Sequence, residues 1–371
     1  HYIEEIAAGN PNVSLKKLKQ LHANFLIDNY ANLSPIYYYL KGRCYFEKKI
    51  WNKASECYQN AIKKMEQAPE LEKSNIVASS FNDLGRVVYY DLNDLESALS
   101  YTQQGLETVH NQERQYTKYF LLLNKVVYLE QLNRLEEAKQ TLDVLHSELD
   151  HFKTNFRIVI QMYERYATVL NALQLPISAL EFAEKGITIA WENKLFDRLF
   201  TLWTTLGIIY LSIEDLEKAE EYCSKAIDIQ LNTKRDYILI TTYTVLGSVY
   251  IKTKQYSDAL DALEKAVSMG EKSKDTLRYV EALRTLGNYH LSQQAHEQAI
   301  KSYAKVEQLS KQHNLTYHEY HSILNLCTCY IQTGDKENFH KYNEKLYFIL
   351  NSKEGGAKNH ESNSIWGTDH W

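Results

Sequence analysis

The run Leu206-Gly207-Ile208-Ile209-Tyr210 returns as Leu246-Gly247-Ser248-Val249-Tyr250 and as Leu286-Gly287-Asn288-Tyr289-His290, with Leu326-Cys327-Thr328-Cys329-Tyr330 as a worn fourth copy. Gly207, Gly247, Gly287 and Cys327 therefore stand 40 residues apart. A fixed period of roughly 20–50 residues marks stacked units, none of which buries its apolar face alone. Such a chain folds by laying each unit on the next, and the extended surface it builds suits binding more than catalysis.

The period continues upstream through Ala167, Asn124, Gly85 and Gly42, so eight units cover residues 36–350. A second small residue follows the first at a fixed distance: Ala54, Ala179, Ala219, Ala259 and Ala299 each lie 12 positions after the leading small residue of their unit. Small residues at fixed places let two helices approach closely, and large ones such as Tyr58, Trp203, Tyr243 and Tyr303 fill the space between helices. Each unit reads as a helix hairpin. With 4 Pro and 13 Gly among 371 residues, turn chemistry for an all-β protein is scarce, and the apolar residues recur with helical spacing. The expected fold is all-α.

A formal charge of −5 argues against the repeats themselves wrapping nucleic acid. No apolar run has the length of a membrane span, no signal peptide is visible, and a cytoplasmic location is expected. Cys44, Cys57, Cys223, Cys327 and Cys329 fall within repeat helices and read as reduced core residues. His318 and His321 have a spacing compatible with metal binding, but no third ligand accompanies them, and ordinary half-exposed histidines are the expectation. Phosphate loops and nucleophile elbows are absent, so neither enzymatic activity nor a cofactor is expected.

The ends differ from the middle. Residues 1–35 carry an amphipathic stretch through Leu15, Leu18, Leu21 and Phe25, expected to be a terminal helix capping the first repeat. Residues 351–371 have no period and read as a tail.

The candidate binding residues lie on the first helix of each hairpin. One place after the leading small residue stand Arg43, Arg86, Lys125, Thr168, Ile208, Ser248, Asn288 and Thr328. Residues four apart share a helix face, so Asn82 is expected to pair with Arg86, and Arg284 with Asn288. Asn325 of the next unit should face the same groove. An arginine fork and amides that donate and accept at once suit a peptide backbone or a carboxylate. The plainer alternatives are a solvated Arg284, asparagines that secure local turns, and an intrahelical pair of Arg86 with Asp83. Ordering a free peptide costs about 1–2 kcal/mol per residue, so several anchors are needed. Tyr89, Tyr128, Ile208 and Leu291 are the candidate apolar walls.

Trp203, Leu206, Gly207, Tyr210, Ala219 and Ala226 resemble the tetratricopeptide repeat pattern almost whole. The resemblance implies a right-handed superhelix of helix hairpins. A period above the usual one implies second helices longer by a turn or more, or longer connections. The long units, Tyr-rich helices and Asn-bearing groove further resemble the peptide pheromone receptors of Gram-positive bacteria, the Rap, NprR, PlcR and PrgX group. The length of the array is most similar to the neutral protease regulators of that group, without their helix-turn-helix. That resemblance implies a quorum-sensing domain that grips a short signalling peptide through Asn82, Asn288 and Asn325 and controls a transcriptional regulator. It also implies a homodimer or higher oligomer, and DNA contact only through a separate N-terminal domain. Two alternatives stay open: a Rap-like inhibitor or phosphatase acting on a sporulation response regulator, and a generic scaffold for protein C-termini.

Overall fold

The computed structural model describes residues 10–110, 116–229, 236–273 and 275–351. Their regular structure is entirely helical, an all-α array of helix hairpins. The N-terminal helix α1 (Pro11–Phe25) precedes eight hairpins: α2 (Ser34–Glu47) with α3 (Trp51–Met65), α4 (Ile76–Leu92) with α5 (Leu95–Glu107), α6 (Thr117–Gln131) with α7 (Leu135–Ser147), and, after the short α8 (Leu149–Phe152), α9 (Phe156–Ala172) with α10 (Pro176–Glu192). The array continues with α11 (Phe196–Ser212) and α12 (Leu216–Ile229), α13 (Asp236–Lys252) and α14 (Tyr256–Lys272), α15 (Thr276–Ser292) and α16 (His296–Gln312), and α17 (Thr316–Thr333) and α18 (Lys336–Asn351). The proposed tail from residue 352 onward lies outside the described residues.

Compactness divides the chain into an N-terminal unit of residues 1–131 and 140–148 and a C-terminal unit of residues 132–139 and 149–371. In the C-terminal unit most helices are 17 residues long and are joined by three-residue connections. The extra length over an ordinary repeat is therefore shared by both helices of a hairpin rather than carried by the second alone. In this unit α9, α11, α13, α15 and α17 touch one another in succession, whereas each second helix packs on the helices next to it in sequence. First helices thus form an inner layer and second helices an outer one.

The leading small residue works by receiving a side chain from 16 positions further on. A methyl group at Gly287 would lie 2.5 Å from the Tyr303 ring, one at Gly247 2.5 Å from Leu263, and one at Gly42 2.7 Å from Tyr58. Tyr58, Leu263 and Tyr303 are completely buried in these notches. The hairpin turn follows a second rule. Lys49, Gln174, Glu214, Lys254, Gln294 and Gly334, each seven places after the small residue, take the left-handed conformation. The next amide then closes a bond to the carbonyl five residues back, as from Gln255 to Tyr250 at 2.8 Å and from Ala295 to His290 at 2.9 Å, which satisfies the helix end. Only at 334 is this residue the glycine that the conformation favours.

In the N-terminal unit α1 buries Leu15 and Leu18 against the first hairpin. Phe25, expected on the same buried stripe, is 59% exposed. It is the last residue of the helix, which ends where Leu26 turns left-handed. All five cysteines are buried with free thiols; burial pushes Cys44 and Cys57 up to about 11, as expected of core thiols.

Candidate functional site

The inner layer of the C-terminal unit is joined by polar side chains where apolar ones would be the default. Thr204 and Thr242 share a 2.9 Å hydroxyl bond between α11 and α13. The Arg278 Nε donates to Thr241 at 3.2 Å between α15 and α13, and Ser212 donates to Asn171 at 2.8 Å between α11 and α9. Glu164, buried on α9, has Arg165 at 3.3 Å and Arg198 of α11 at 3.8 Å. Buried polar atoms need partners, and here the neighbouring repeat supplies them.

The same seam runs through the predicted site. Glu281 on α15 is 2% exposed; its Oε2 accepts from Arg284 Nε at 3.2 Å and Nη2 at 3.1 Å, and its Oε1 lies 3.5 Å from His318 Nδ1 of α17. Arg284 is itself buried, so its fork is engaged inside the fold and is not a solvated surface charge. His318 is buried beside Glu281 rather than half-exposed. Among the described residues no group of three side chains could hold a metal ion.

Asn288 and Asn325 each lie seven residues beyond the contacting pair Glu281 and His318. Seven residues are two helical turns, and α15 and α17 are successive first helices, so the two asparagines lie along the same edge of the inner layer, about 10 Å beyond that contact. The Asn288 Oδ1 accepts a 2.7 Å hydrogen bond from Tyr303 of α16. Tyr303 is fully buried and burial pushes its phenol up, which keeps the hydroxyl a donor. That bond commits the carbonyl of the amide to a core side chain. Asn288 is half-buried, and among the described residues its Nδ2 donates to no side chain or carbonyl. Asn325, also half-buried, makes no side-chain hydrogen bond among the described residues. In the equivalent places on α9, α13 and α17, Thr168, Ser248 and Thr328 donate back to their own helices. Asn288 differs from them in keeping an amide donor that no partner takes up among the described residues.

The expected pairing of residues four apart is not what the structure contains. Asn288 bonds Tyr303 and not Arg284, because a buried carboxylate three residues earlier captures the arginine first. In the N-terminal unit Asn82 accepts from Asn124 of α6 at 2.8 Å. Arg86 pairs with Asp83 at 2.9 Å and not with Asn82. Asn82 and Arg86 belong to one compact unit, and Arg284, Asn288 and Asn325 to the other. Sequence reasoning missed Tyr303 and Glu281 as supports of the site. The 16-residue distance from Gly287 to Tyr303 and the three-residue distance from Glu281 to Arg284 were the signals that pointed to them.

A tetratricopeptide repeat family model matches residues 197–272 and 239–312. No curated protein sequence matches the chain. Among solved structures, a Rap protein complexed with competence and sporulation factor superposes with a TM-score of 0.63 at 13% identity, over 94% of this chain and 98% of that one. A signal transduction ATPase with numerous domains and a tetratricopeptide repeat sensor, from Pyrococcus horikoshii, gives 0.55 at 16% identity over 92% of this chain; the chain spans about half of that protein, 54%. A tetratricopeptide repeat protein from Parabacteroides merdae gives 0.51 at 16% identity, over 84% and 96% of the two chains. At these identities the likeness is one of fold, and the fold is that of tetratricopeptide repeat arrays.

Proposed function

We propose that this chain is a cytoplasmic receptor for a short signalling peptide, which it grips along the inner layer of its C-terminal unit. The observation that carries this reading is the half-buried amide of Asn288, held by the buried Tyr303 hydroxyl through its oxygen and keeping its NH2 unpartnered among the described residues, with Asn325 at the corresponding edge of the next inner helix. An amide held in one orientation loses little freedom on binding a peptide unit. Arg284 acts as a positioning residue, since its guanidinium is committed to Glu281 and the seam to α17. Binding, and not catalysis, is the activity proposed.

The signal then passes to a partner. The likeness of fold to a Rap protein across nearly the whole of both chains favours a second, more specific reading, in which the partner is a sporulation response regulator. The neutral protease regulators, which answer a peptide by binding DNA through a separate module, give the other output. Either output fits a homo-oligomer whose form changes with the peptide, because contacts confined to neighbouring hairpins let a guest reset a junction between them.

Panning a randomised library of short peptides against the whole chain, followed by calorimetry on the selected sequence, tests the reading. Asn288→Ala and Asn325→Ala should each weaken binding about tenfold or more, about 1.4 kcal/mol, with the helical circular dichroism signal retained. Selection of no peptide, or unchanged affinity in both variants, would overturn it.

A further inference from the structure

The N-terminal unit holds a cluster that peptide gripping by the C-terminal unit leaves unused. Asp83 on α4 is 2% exposed and lies between two arginines, Arg86 at 2.9 Å and Arg43 of α2 at 3.7 Å. One carboxylate against two guanidiniums leaves a net positive charge in the layer of first helices, in a chain whose formal charge is −5. The Arg86 guanidinium stacks on the Phe46 ring at 4.2 Å, which fixes its plane. Its Nη1 donates to Asp83; the rest of its fork has no acceptor among the described residues, and the side chain remains 28% exposed.

Two phenols complete the arrangement. Tyr58 of α3 is 0% exposed and Tyr128 of α6 2% exposed, and among the described residues neither hydroxyl has a hydrogen-bond partner, nor do the buried Arg43 Nε and Asp83 Oδ2 of the cluster. A buried hydroxyl without a partner is costly, and a fold seldom keeps two of them beside one charge cluster. Both rings sit in the field of the cluster. Burial, then Asp83, raises the Tyr58 phenol while Arg43 and Arg86 pull it down, and burial raises Tyr128 while Arg86 pulls it down. Both hydroxyls are therefore protonated donors, that of Tyr58 in the field of Arg43 and Arg86 and that of Tyr128 in the field of Arg86. Tyr89 stacks 5.3 Å from Tyr128 and gives the cluster an aromatic wall.

We propose that Arg86, Arg43 and the hydroxyls of Tyr58 and Tyr128 form an oxyanion site in the N-terminal unit, for a carboxylate or a phosphate group. An oxyanion would take the free edge of the Arg86 fork and accept from the two phenols, giving charge-assisted bonds to groups that now have none. The site is independent of the Asn288 and Asn325 face, and its test is separate from the test of peptide binding.

The probes are sodium acetate and sodium phosphate, titrated into the whole chain at ionic strength held constant with sodium chloride. Arginine Nε–H resonances and the melting temperature are the readouts. Saturable shifts of the Arg86 signal by either anion at millimolar concentration are expected, with preference for acetate identifying a carboxylate ligand and preference for phosphate a phosphoryl one. Arg86→Gln should weaken binding at least tenfold. Tyr128→Phe, which keeps the ring and removes only the hydroxyl, should weaken it about threefold. Asn288→Ala should leave the anion response unchanged. A response no larger than that to chloride, or full binding by both Arg86→Gln and Tyr128→Phe, would overturn the proposal.

Discussion

Replacing Glu281 by alanine should be among the most damaging single changes in the C-terminal unit. The substitution removes the carboxylate that holds Arg284 through two bonds of 3.1–3.2 Å and faces His318 at 3.5 Å. The side chains of Arg284 and His318 are only 9% and 3% exposed, so water cannot replace it without opening the contact between α15 and α17. Breaking a buried pair from one side costs about 3–5 kcal/mol. Removing both Glu281 and Arg284 should cost much less than the two single changes together, with a coupling of about 1–3 kcal/mol. Urea denaturation of the parent, Glu281→Ala, Arg284→Ala and the double variant closes the cycle. Hydrogen exchange then locates the loss: amides of α15 and α17 should lose protection, and those of α9 should not, because repeats depend mainly on their neighbours. Additive effects, or a loss below about 1 kcal/mol for Glu281→Ala, would show that the carboxylate behaves as an exposed surface charge and refute the reading.

Other changes test the rules of the hairpin. Gly287→Ala should destabilise by about 1 kcal/mol despite its better helix propensity, since the added methyl would lie 2.5 Å from the Tyr303 ring and overpacking costs about 1–3 kcal/mol; thermal unfolding measures it. Lys254→Gly should stabilise by about 0.5–1 kcal/mol, because lysine there is held at φ 61°, a conformation that glycine adopts freely. Asp94 caps α5 by accepting from Ser97 N at 3.0 Å, and Asp94→Ala should cost about 1 kcal/mol at neutral pH. Hydrogen bonds from Ser97 lower the Asp94 carboxyl below its ordinary 3.8. The cap therefore contributes fully above that pH and fades as pH falls through the lowered value, so parent and variant should converge in melts taken under strongly acidic conditions.

The hairpins were legible in the sequence because their spacing is a steric requirement. A notch at Gly287 and a ring at Tyr303 can be read from residue types and distance alone. The left-handed turn was not legible, because Lys49, Gln174, Glu214, Lys254 and Gln294 take it without the glycine that would have announced it. For the candidate face, residue types and spacing could be read, but not the partners those residues take. Helical spacing says which side chains share a face, and it placed Asn288 and Asn325 together. It does not say which of several polar neighbours wins, and charge decided that in favour of Glu281 for Arg284 and Asp83 for Arg86. The contact of Asn82 with Asn124 between repeats depends on how one hairpin is set against the next, and that of Asn288 with Tyr303 within one hairpin on which way an amide is turned. Neither is written in a period.

The hydrogen bonds between inner helices have a mechanical corollary. Greasy contacts tolerate a slide of a fraction of an ångström with little loss, but the 2.9 Å bond from Thr204 to Thr242 and the 3.2 Å bond from Arg278 to Thr241 do not, since such bonds weaken steeply once stretched or tilted. Each junction then behaves more like a ratchet tooth than a spring. It holds one setting until its bond breaks and then moves to another, so a guest that rearranges a single junction would change the curvature there by a discrete step and leave the rest as it was.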